Sequence, residues 1–420
     1  MDRLAIEGPT KLEGRIGVSG AKNAALPIMA ACLLGDGPSR LLGVPRLNDV
    51  ETLGVILGGL GLYCSRDGDA LDCKVVDEKN STAPYDHVRK MRASICVLGP
   101  LLARRGEAQV SLPGGCVIGP RPIDLHLKGL KALGAEVKIE HGYVMARAKE
   151  LRGARIYLGG PHGSSVLGTA TAMMAATLAK GRTVIEHAAV EPEVEDLAGF
   201  LIAMGAKIEG AGSHRVVIEG VDSLQGVEYR IIPDRIEAGT LMVAAAMTGG
   251  DVTLEGARIQ HLDAVTDCLE AVGATVEVAE DDVRVRGSGR LGPVDVTTLP
   301  YPGFPTDMQA QVMAMLSVSD GASVVTERVY PERFMHVGEL KRMGAEIKQD
   351  GPTAVVTGVE ELSAAPVMAS DLRASAALVL AGLVCKGRTE VLRVYHLDRG
   401  YEKLDEKLRS LGARVERISE

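Results

Sequence analysis

Amphipathic runs and short alternating segments take turns along the whole chain, and a glycine marks each join. HLDAVTDCLEAV is one such run, with apolar residues three and four apart, and it reads as a helix with one face on a core. Each run ends in an apolar residue, a glycine and then a strand-like alternation. The six joins are GLGLYC at Gly61, ALGAEV at Gly134, AMGAKI at Gly205, AVGATV at Gly273, RMGAEI at Gly344 and SLGARV at Gly412. By subtraction these glycines lie 73, 71, 68, 71 and 68 residues apart, which defines a six-fold repeat. A glycine just past the last helical residue is what a left-handed C-cap requires.

A second marker runs in phase with the first. Helices rich in small residues end at a glycine and pass into a strand, as in ARRGEAQVSL, AKGRTVIE, TGGDVTLE, SDGASVVTE and CKGRTEVL. Several of these helices are apolar almost all round, for example TATAMMAATLA, TLMVAAAM and ASAALVLAGLV, so they are expected to be buried on every side. An ordinary doubly wound sheet calls for apolar strands and amphipathic helices. Here the pattern is reversed, so sheets are expected to surround helices. The repeats divide as three plus three. The expected domains are 22–230, and 1–21 together with 231–420, with the segment before Ser19 pairing with the second half. Ligands favour clefts between domains, so the active site is expected there.

Composition narrows the classes. The chain has 420 residues, 46% hydrophobic and 24% charged, with no Trp and a formal charge of −8. An acidic chain without a basic tract argues against nucleic acid as its main partner. The first residues contain no apolar signal core and no window is long enough to span a bilayer, so a cytoplasmic protein without membrane insertion is expected, with a monomer favoured. Seven cysteines form no C-x-x-C pair; Cys32, Cys96 and Cys385 sit in apolar runs and read as buried thiols, and neither disulfides nor zinc are expected. P-loop, H-E-x-x-H and G-x-S-x-G motifs are absent.

The starts of the apolar helices carry the candidate chemistry. They read SGAKNAALP with Lys22 and Asn23, RKMRASICVLGP with Arg92, SSVLGTATAM with Ser165, PDRIEAGT with Arg235 and Glu237, FPTDMQAQ with Asp307, and SDLRASAAL with Asp371 and Arg373. Unpaired N–H groups make such positions attractive to anions. Ser19 and Asp234 read as plain N-caps. Capping does not explain Lys22, Arg92 and Arg373, because a cation there opposes the helix field and needs an anion beside it. With Arg121, Arg333 and Arg399 they make a candidate clamp for a substrate bearing phosphates or carboxylates. One further loop, LPGGCVIGPRPIDLH, sets Cys116 among glycines and prolines, where a side chain is normally exposed rather than a buried filler.

SGAKNAALP, RASI, LPGGCVIGPRPIDLH, PDRIEAGT, FPTDMQAQ, RFMHV, DLRASAALVLAG and YHLDRGYE together resemble the UDP-N-acetylglucosamine 1-carboxyvinyltransferase family of enolpyruvyl transferases, in the EPSP synthase-like superfamily. The likeness spans the whole chain, and the Gly-Gly-Cys loop is specific to that family. The resemblance implies a two-domain inside-out α/β barrel of six βαβαββ units, helices within and sheets outside. It implies transfer of the enolpyruvyl group of phosphoenolpyruvate to the 3′-hydroxyl of UDP-N-acetylglucosamine with release of phosphate, in peptidoglycan precursor synthesis, without cofactor or metal.

The same resemblance implies the roles. Cys116 is the proton donor and can attack phosphoenolpyruvate; an unperturbed thiol titrates at about 8.5, and Arg121 nearby would lower that value. Asp307 is the general base or positions the sugar hydroxyl, against the alternative of a plain cap. Lys22, Arg121, Arg333, Arg373 and Arg399 hold the phosphate and carboxylate of phosphoenolpyruvate. Asn23, Arg92, Asp307 and the backbone at Val329 contact the amino sugar and diphosphate, and Asp371 belongs to the same substrate-binding set. Arg121, Pro122, Ile123, Asp124 and Leu125, with Ser165 and Val166, line the uridine site; Asp124 and His126 are equally read as loop braces. One segment departs from the family pattern: in PHGSSVLGTA, Leu167 holds the usual glycine position and Gly168 follows, and no lysine precedes the serine pair, His162 being the nearest polar candidate. Alternatives are a shikimate-pathway synthase, a catalytically silent paralogue that binds nucleotide sugar, and an RNA-end cyclase, the last disfavoured by the acidic charge.

Overall fold

Twelve glycines set the frame of the molecule. The six that close the amphipathic runs, Gly61, Gly134, Gly205, Gly273, Gly344 and Gly412, all have φ between 81° and 110°. Those after the apolar helices, Gly37, Gly106, Gly181, Gly249, Gly321 and Gly387, are likewise positive, between 62° and 108°. Only glycine adopts these angles without a Cβ penalty, so each helix stops where the repeat punctuation says it should.

The computed structural model describes residues 2–89, 91–112, 123–161 and 163–419. It divides into two compact units: Met1–Ser19 with Pro233–Glu420, and the described residues between Gly20 and Ile232. Each has its own hydrophobic core, and the two cores share no residue.

Within the described residues six four-stranded sheets have one topology, three in each unit. An outer strand lies parallel to its neighbour, and two antiparallel strands follow; Val296–Thr298, Ala322–Glu327, Thr353–Thr357 and Glu346–Asp350 stand in that order. Three sheets are completed by distant segments. Arg3–Gly8 is antiparallel to both Gly387–Leu392 and Arg414–Ile418, and Glu228–Arg230 is parallel to Ser39–Leu42. The early strand Glu13–Gly17 pairs with Asp251–Glu255, so the chain's beginning is built into the unit of its end.

The apolar helices lie inside. In Arg235–Met247 every residue after Arg235 is buried, and Gln309–Leu316 is buried throughout. These two pack on Leu372–Val384, and in the other unit Leu98–Arg105 and Lys22–Ala31 pack on Val166–Ala176. Small residues allow the close approach: a Cβ on Gly99 would meet the Thr171 carbonyl oxygen at 2.5 Å. The second helix of each repeat, such as Asp263–Ala271, turns only one face inward, with Val265, Cys268 and Leu269 buried. Cys32, Cys96 and Cys385 are 4% exposed or less, and the six described cysteines are free thiols. No helix among the described residues is long and apolar enough to cross a membrane.

Candidate active site

In the unit containing Gly20–Ile232, Lys22 is the first residue of the inner helix Lys22–Ala31 and is 7% exposed. Its Nζ lies 2.7 Å from Oδ2 of Asp49, which is 4% exposed in the first turn of Asn48–Gly59. Asp49 thus supplies a resident counter-charge to a cation that opposes its own helix field. The helix has Ala21 as its N-cap without a side-chain bond. Ser19 is therefore not its cap, a correction to the reading above: Ser19 belongs to the other unit, where its hydroxyl accepts from Lys407 Nζ at 2.7 Å and Lys407 also pairs with buried Glu237. Asn23 is exposed beside Lys22.

Arg92 opens the 3-10 turn Arg92–Val97 and is half-buried. Its charge is felt by His126, whose Nδ1 lies 2.9 Å from Thr171 Oγ1. Burial first, then Arg92, pushes the His126 imidazole down to about 4, so it is neutral at pH 7 and braces two helices. Asp124 is exposed at the start of Asp124–Ala132, while Ile123 and Leu125 are half-buried against the core. Ser165 caps Val166–Ala176 by accepting from the Gly168 N–H at 3.1 Å, and Val166 is half-buried. A Cβ at Gly168 would crowd that hydroxyl at 2.8 Å. Leu167 packs against the core. Cys116, Arg121, Pro122 and His162 lie outside the described residues.

In the other unit the structure gathers Asp307, Arg333 and Arg373. Asp307 sits in the 3-10 turn Thr306–Met308, immediately before the inner helix Gln309–Leu316. Arg333 Nη1 donates to its Oδ1 at 2.7 Å and Arg373 Nη2 to its Oδ2 at 3.0 Å. The guanidiniums are 4% and 1% exposed, whereas the Asp307 side chain keeps 26%. One partly open carboxylate is thus held by two buried cations from different elements, which fixes its orientation.

Arg373 is further placed by its own helix. Asp371 caps Leu372–Val384 by accepting from the N–H groups of Arg373 and Ala374 at 2.8 and 3.1 Å. The guanidinium lies 5.1 Å from the Tyr401 ring centroid. Burial works against its charge, but Tyr401, Asp307 and Asp234 outweigh burial and raise its pKa. Among the described residues its Nε and Nη1 are buried and meet no acceptor. Arg399, half-buried, ends the turn Val394–Arg399, where burial first and then its charge help lower the pKa of His396.

Glu327 is a participant that the linear pattern did not single out. Fully buried, it accepts from Thr298 Oγ1 at 2.6 Å, Thr306 Oγ1 at 2.9 Å and the N–H groups of Val329 and Tyr330 at 2.8 and 2.9 Å. The Val329 N–H is thereby engaged within the protein. Thr306 in turn accepts from Arg333 at 3.0 Å, so Glu327 supports the guanidinium one bond removed. Its signal was a carboxylate in phase with buried Val325 on an alternating strand. Asp49 offered no such signal, since an acid in the first turn of a helix reads as a helix-field partner. Arg235 and Glu237 turn elsewhere: Arg235 stands 5.4 Å from the Tyr301 ring centroid, and Glu237 pairs with Lys407. Among the described residues no group of three His, Cys, Asp or Glu could hold a metal ion.

The profile of the EPSP synthase (3-phosphoshikimate 1-carboxyvinyltransferase) family matches residues 6–408. The chain is 56% identical over 423 aligned positions to UDP-N-acetylglucosamine 1-carboxyvinyltransferase of Anaeromyxobacter sp. (strain K), covering 100% of both chains. It is 55% identical to the protein of that name from Myxococcus xanthus, covering 99% of both. Among solved structures it resembles the enolpyruvyl transferase NikO from Streptomyces tendae, with TM-score 0.90 and 26% identity over 100% of this chain and 99% of that one. EPSP synthase from Acinetobacter baumannii shares the fold, with TM-score 0.78 and 18% identity over 100% of both chains.

Proposed function

The chain belongs to the EPSP synthase family, and within it we propose the reaction of a UDP-N-acetylglucosamine 1-carboxyvinyltransferase. The enzyme transfers the enolpyruvyl group of phosphoenolpyruvate to the 3′-hydroxyl of UDP-N-acetylglucosamine and releases phosphate. The observation that carries this reading is the 56% identity over the entire length of both chains. The Asp307–Arg333–Arg373 constellation agrees with it chemically, because it offers one oriented carboxylate amid cations suited to a polyanionic substrate.

In this reading Cys116 delivers a proton to the methylene carbon while the sugar oxygen attacks the neighbouring carbon, its own proton passing toward Asp307. Loss of phosphate and a methyl proton then restores the double bond. Lys22, Arg121, Arg333, Arg373 and Arg399 grip the phosphate and carboxylate. Asn23, Arg92, Val329 and Asp371 serve the amino sugar and diphosphate; Pro122, Ile123, Asp124, Leu125, Ser165 and Val166 serve the uridine. The buried donors of Arg373 that meet no acceptor among the described residues suit an anionic ligand. The reading extends to a cytoplasmic enzyme of cell-wall synthesis, active as a monomer and inactivated by fosfomycin through Cys116.

A phosphate-release assay tests it. Phosphoenolpyruvate with UDP-N-acetylglucosamine is expected to yield phosphate, and phosphoenolpyruvate with shikimate 3-phosphate none; the opposite preference overturns the acceptor. Cys116→Ala is expected to abolish release, and full activity in that variant removes the thiol from the mechanism.

A further inference from the structure

Three thiols meet in the unit that carries Lys22, away from the groups assigned above. Cys64 and Cys73 stand directly opposite each other on the antiparallel strands Leu62–Asp67 and Ala70–Val75, with their sulfurs 2.9 Å apart. Cys32 follows the inner helix that begins at Lys22; its thiol lies near Cys73 and donates to the Ile28 carbonyl oxygen at 3.4 Å. Directly opposed residues have Cα atoms about 4.5–5.5 Å apart, inside the roughly 4.4–6.8 Å that a disulfide spans. Bridging Cys64 and Cys73 therefore asks no backbone movement. The other described cysteines differ in access: Cys96, Cys268 and Cys385 are 5% exposed or less, whereas Cys64 is half-buried.

We propose that Cys64 and Cys73 are a peroxide-responsive thiol pair that closes to a disulfide. Cys64 is the half-buried member and Cys73 is 1% exposed, so oxidant reaches Cys64 first. Hydrogen bonding to Cys32 and Cys64, then burial, pushes the Cys73 thiol well up, which also leaves the first step to Cys64. The Cys64 thiolate attacks one peroxide oxygen, the O–O bond breaks, and a sulfenic acid and water result. The Cys73 sulfur then attacks the Cys64 sulfur; the S–S bond forms, the S–O bond breaks, and the hydroxyl leaves with the Cys73 proton as a second water. Two thiols are oxidised by two electrons and one hydrogen peroxide is reduced to two waters. Cys32, 4% exposed and engaged with the Ile28 carbonyl oxygen, takes no part in the bond.

Peptide mapping after peroxide treatment of the full-length protein decides the matter without reference to activity. Trypsin cuts after Arg66, between the two cysteines, so the disulfide appears as a joined peptide two hydrogens lighter than its parts and is separated by dithiothreitol. Cys64→Ser is expected to remove the joined peptide and Cys32→Ser to leave it. In Cys73→Ser, Cys64 is expected to stop at the sulfenic acid and be trapped by dimedone. The proposal is overturned if both thiols stay alkylatable under excess peroxide, or if Cys64 is found joined to Cys32 or to a second molecule.

Discussion

Asp307 has an oxygen committed to each of two guanidiniums that water scarcely reaches, and this determines what its replacement does. Asp307→Asn keeps the volume but removes the one carboxylate that both Arg333 and Arg373 contact, leaving Asp371 and Asp234 as the other anions acting on them. We expect turnover to fall at least ~100-fold, the usual scale for losing a positioned acid or base. Stability should fall by about 3 kcal/mol, as when one partner of a buried ion pair is deleted. Phosphate release and a urea midpoint measured on the same preparation check both, and wild-type turnover in a stable Asn variant would rule out the role. Two histidines buried among the described residues give the molecule an acid edge. His126 and His336 are pushed down to about 4, in each case mainly by burial. The unfolded chain protonates near pH 6.5 while the folded one does not, so their contribution is complete above that pH and is lost as pH falls toward 4. That loss is about 3 kcal/mol for each residue. His126→Gln should flatten the decline of the urea midpoint between pH 7 and pH 5; an unchanged slope would assign the acid sensitivity elsewhere. At this scale the sequence was legible only for side chains that obey a local rule. Asp234 and Asp371 cap helices as their positions imply, but nothing local joins Lys22 to Asp49 or Ser19 to Lys407. Those pairs depend on which elements the fold brings together.

Elements were the most legible level, because helix length, strand alternation and the glycine between them repeat six times. The φ values at Gly134 and its five counterparts give the reason: the punctuation is a backbone requirement and survives changes in the side chains around it. Gly134 and Gly99 make a discriminating pair. Gly134 has φ of 95° and open space around an added Cβ, so Gly134→Ala should cost about 1–2 kcal/mol from backbone conformation alone. Gly99 lies in the helix Leu98–Arg105, where alanine is intrinsically better by about 1 kcal/mol, yet its Cβ would stand 2.5 Å from the Thr171 carbonyl. Gly99→Ala is therefore expected to destabilise by about 1–3 kcal/mol through forced separation of two inner helices. Thermal midpoints, with a Thr171→Ser double variant that leaves the carbonyl in place, separate the two causes. A neutral Gly99→Ala would show that the helices have room to part. The apolar helices were also readable as interior, since a cylinder without a polar stripe has no face to offer water.

For the molecule as a whole, long-range closure matters more than local pattern. Arg3–Gly8 is a central strand, hydrogen-bonded on both sides, with Leu4 and Ile6 fully buried. Deleting residues 2–8 removes the middle of a four-stranded sheet, so the unit of Pro233–Glu420 should fail to fold while Leu4→Ala alone costs about 2–5 kcal/mol. Solubility and far-ultraviolet circular dichroism of the two variants check this. A soluble, fully structured deletion would contradict the register. The alternation in RLAIEG announces a strand, but its partners lie almost the full chain length away and no local property names them. The site divides along the same line: residue types at the helix starts were readable, whereas the support of Arg333 through Thr306 and Glu327 emerges only from the assembled sheet and loop.

The two passages between units have a consequence for how this gene can be cut. Asp234 N–H bonds to the Ser19 carbonyl, and Ala21 N–H to the Ile232 carbonyl, both at 2.8 Å. The segment from Gly20 to Ile232 therefore leaves and re-enters at neighbouring points, as a cassette does. A few residues joining Ser19 directly to Pro233 would span the excision, and the excised cassette has termini close enough to be circularised or permuted.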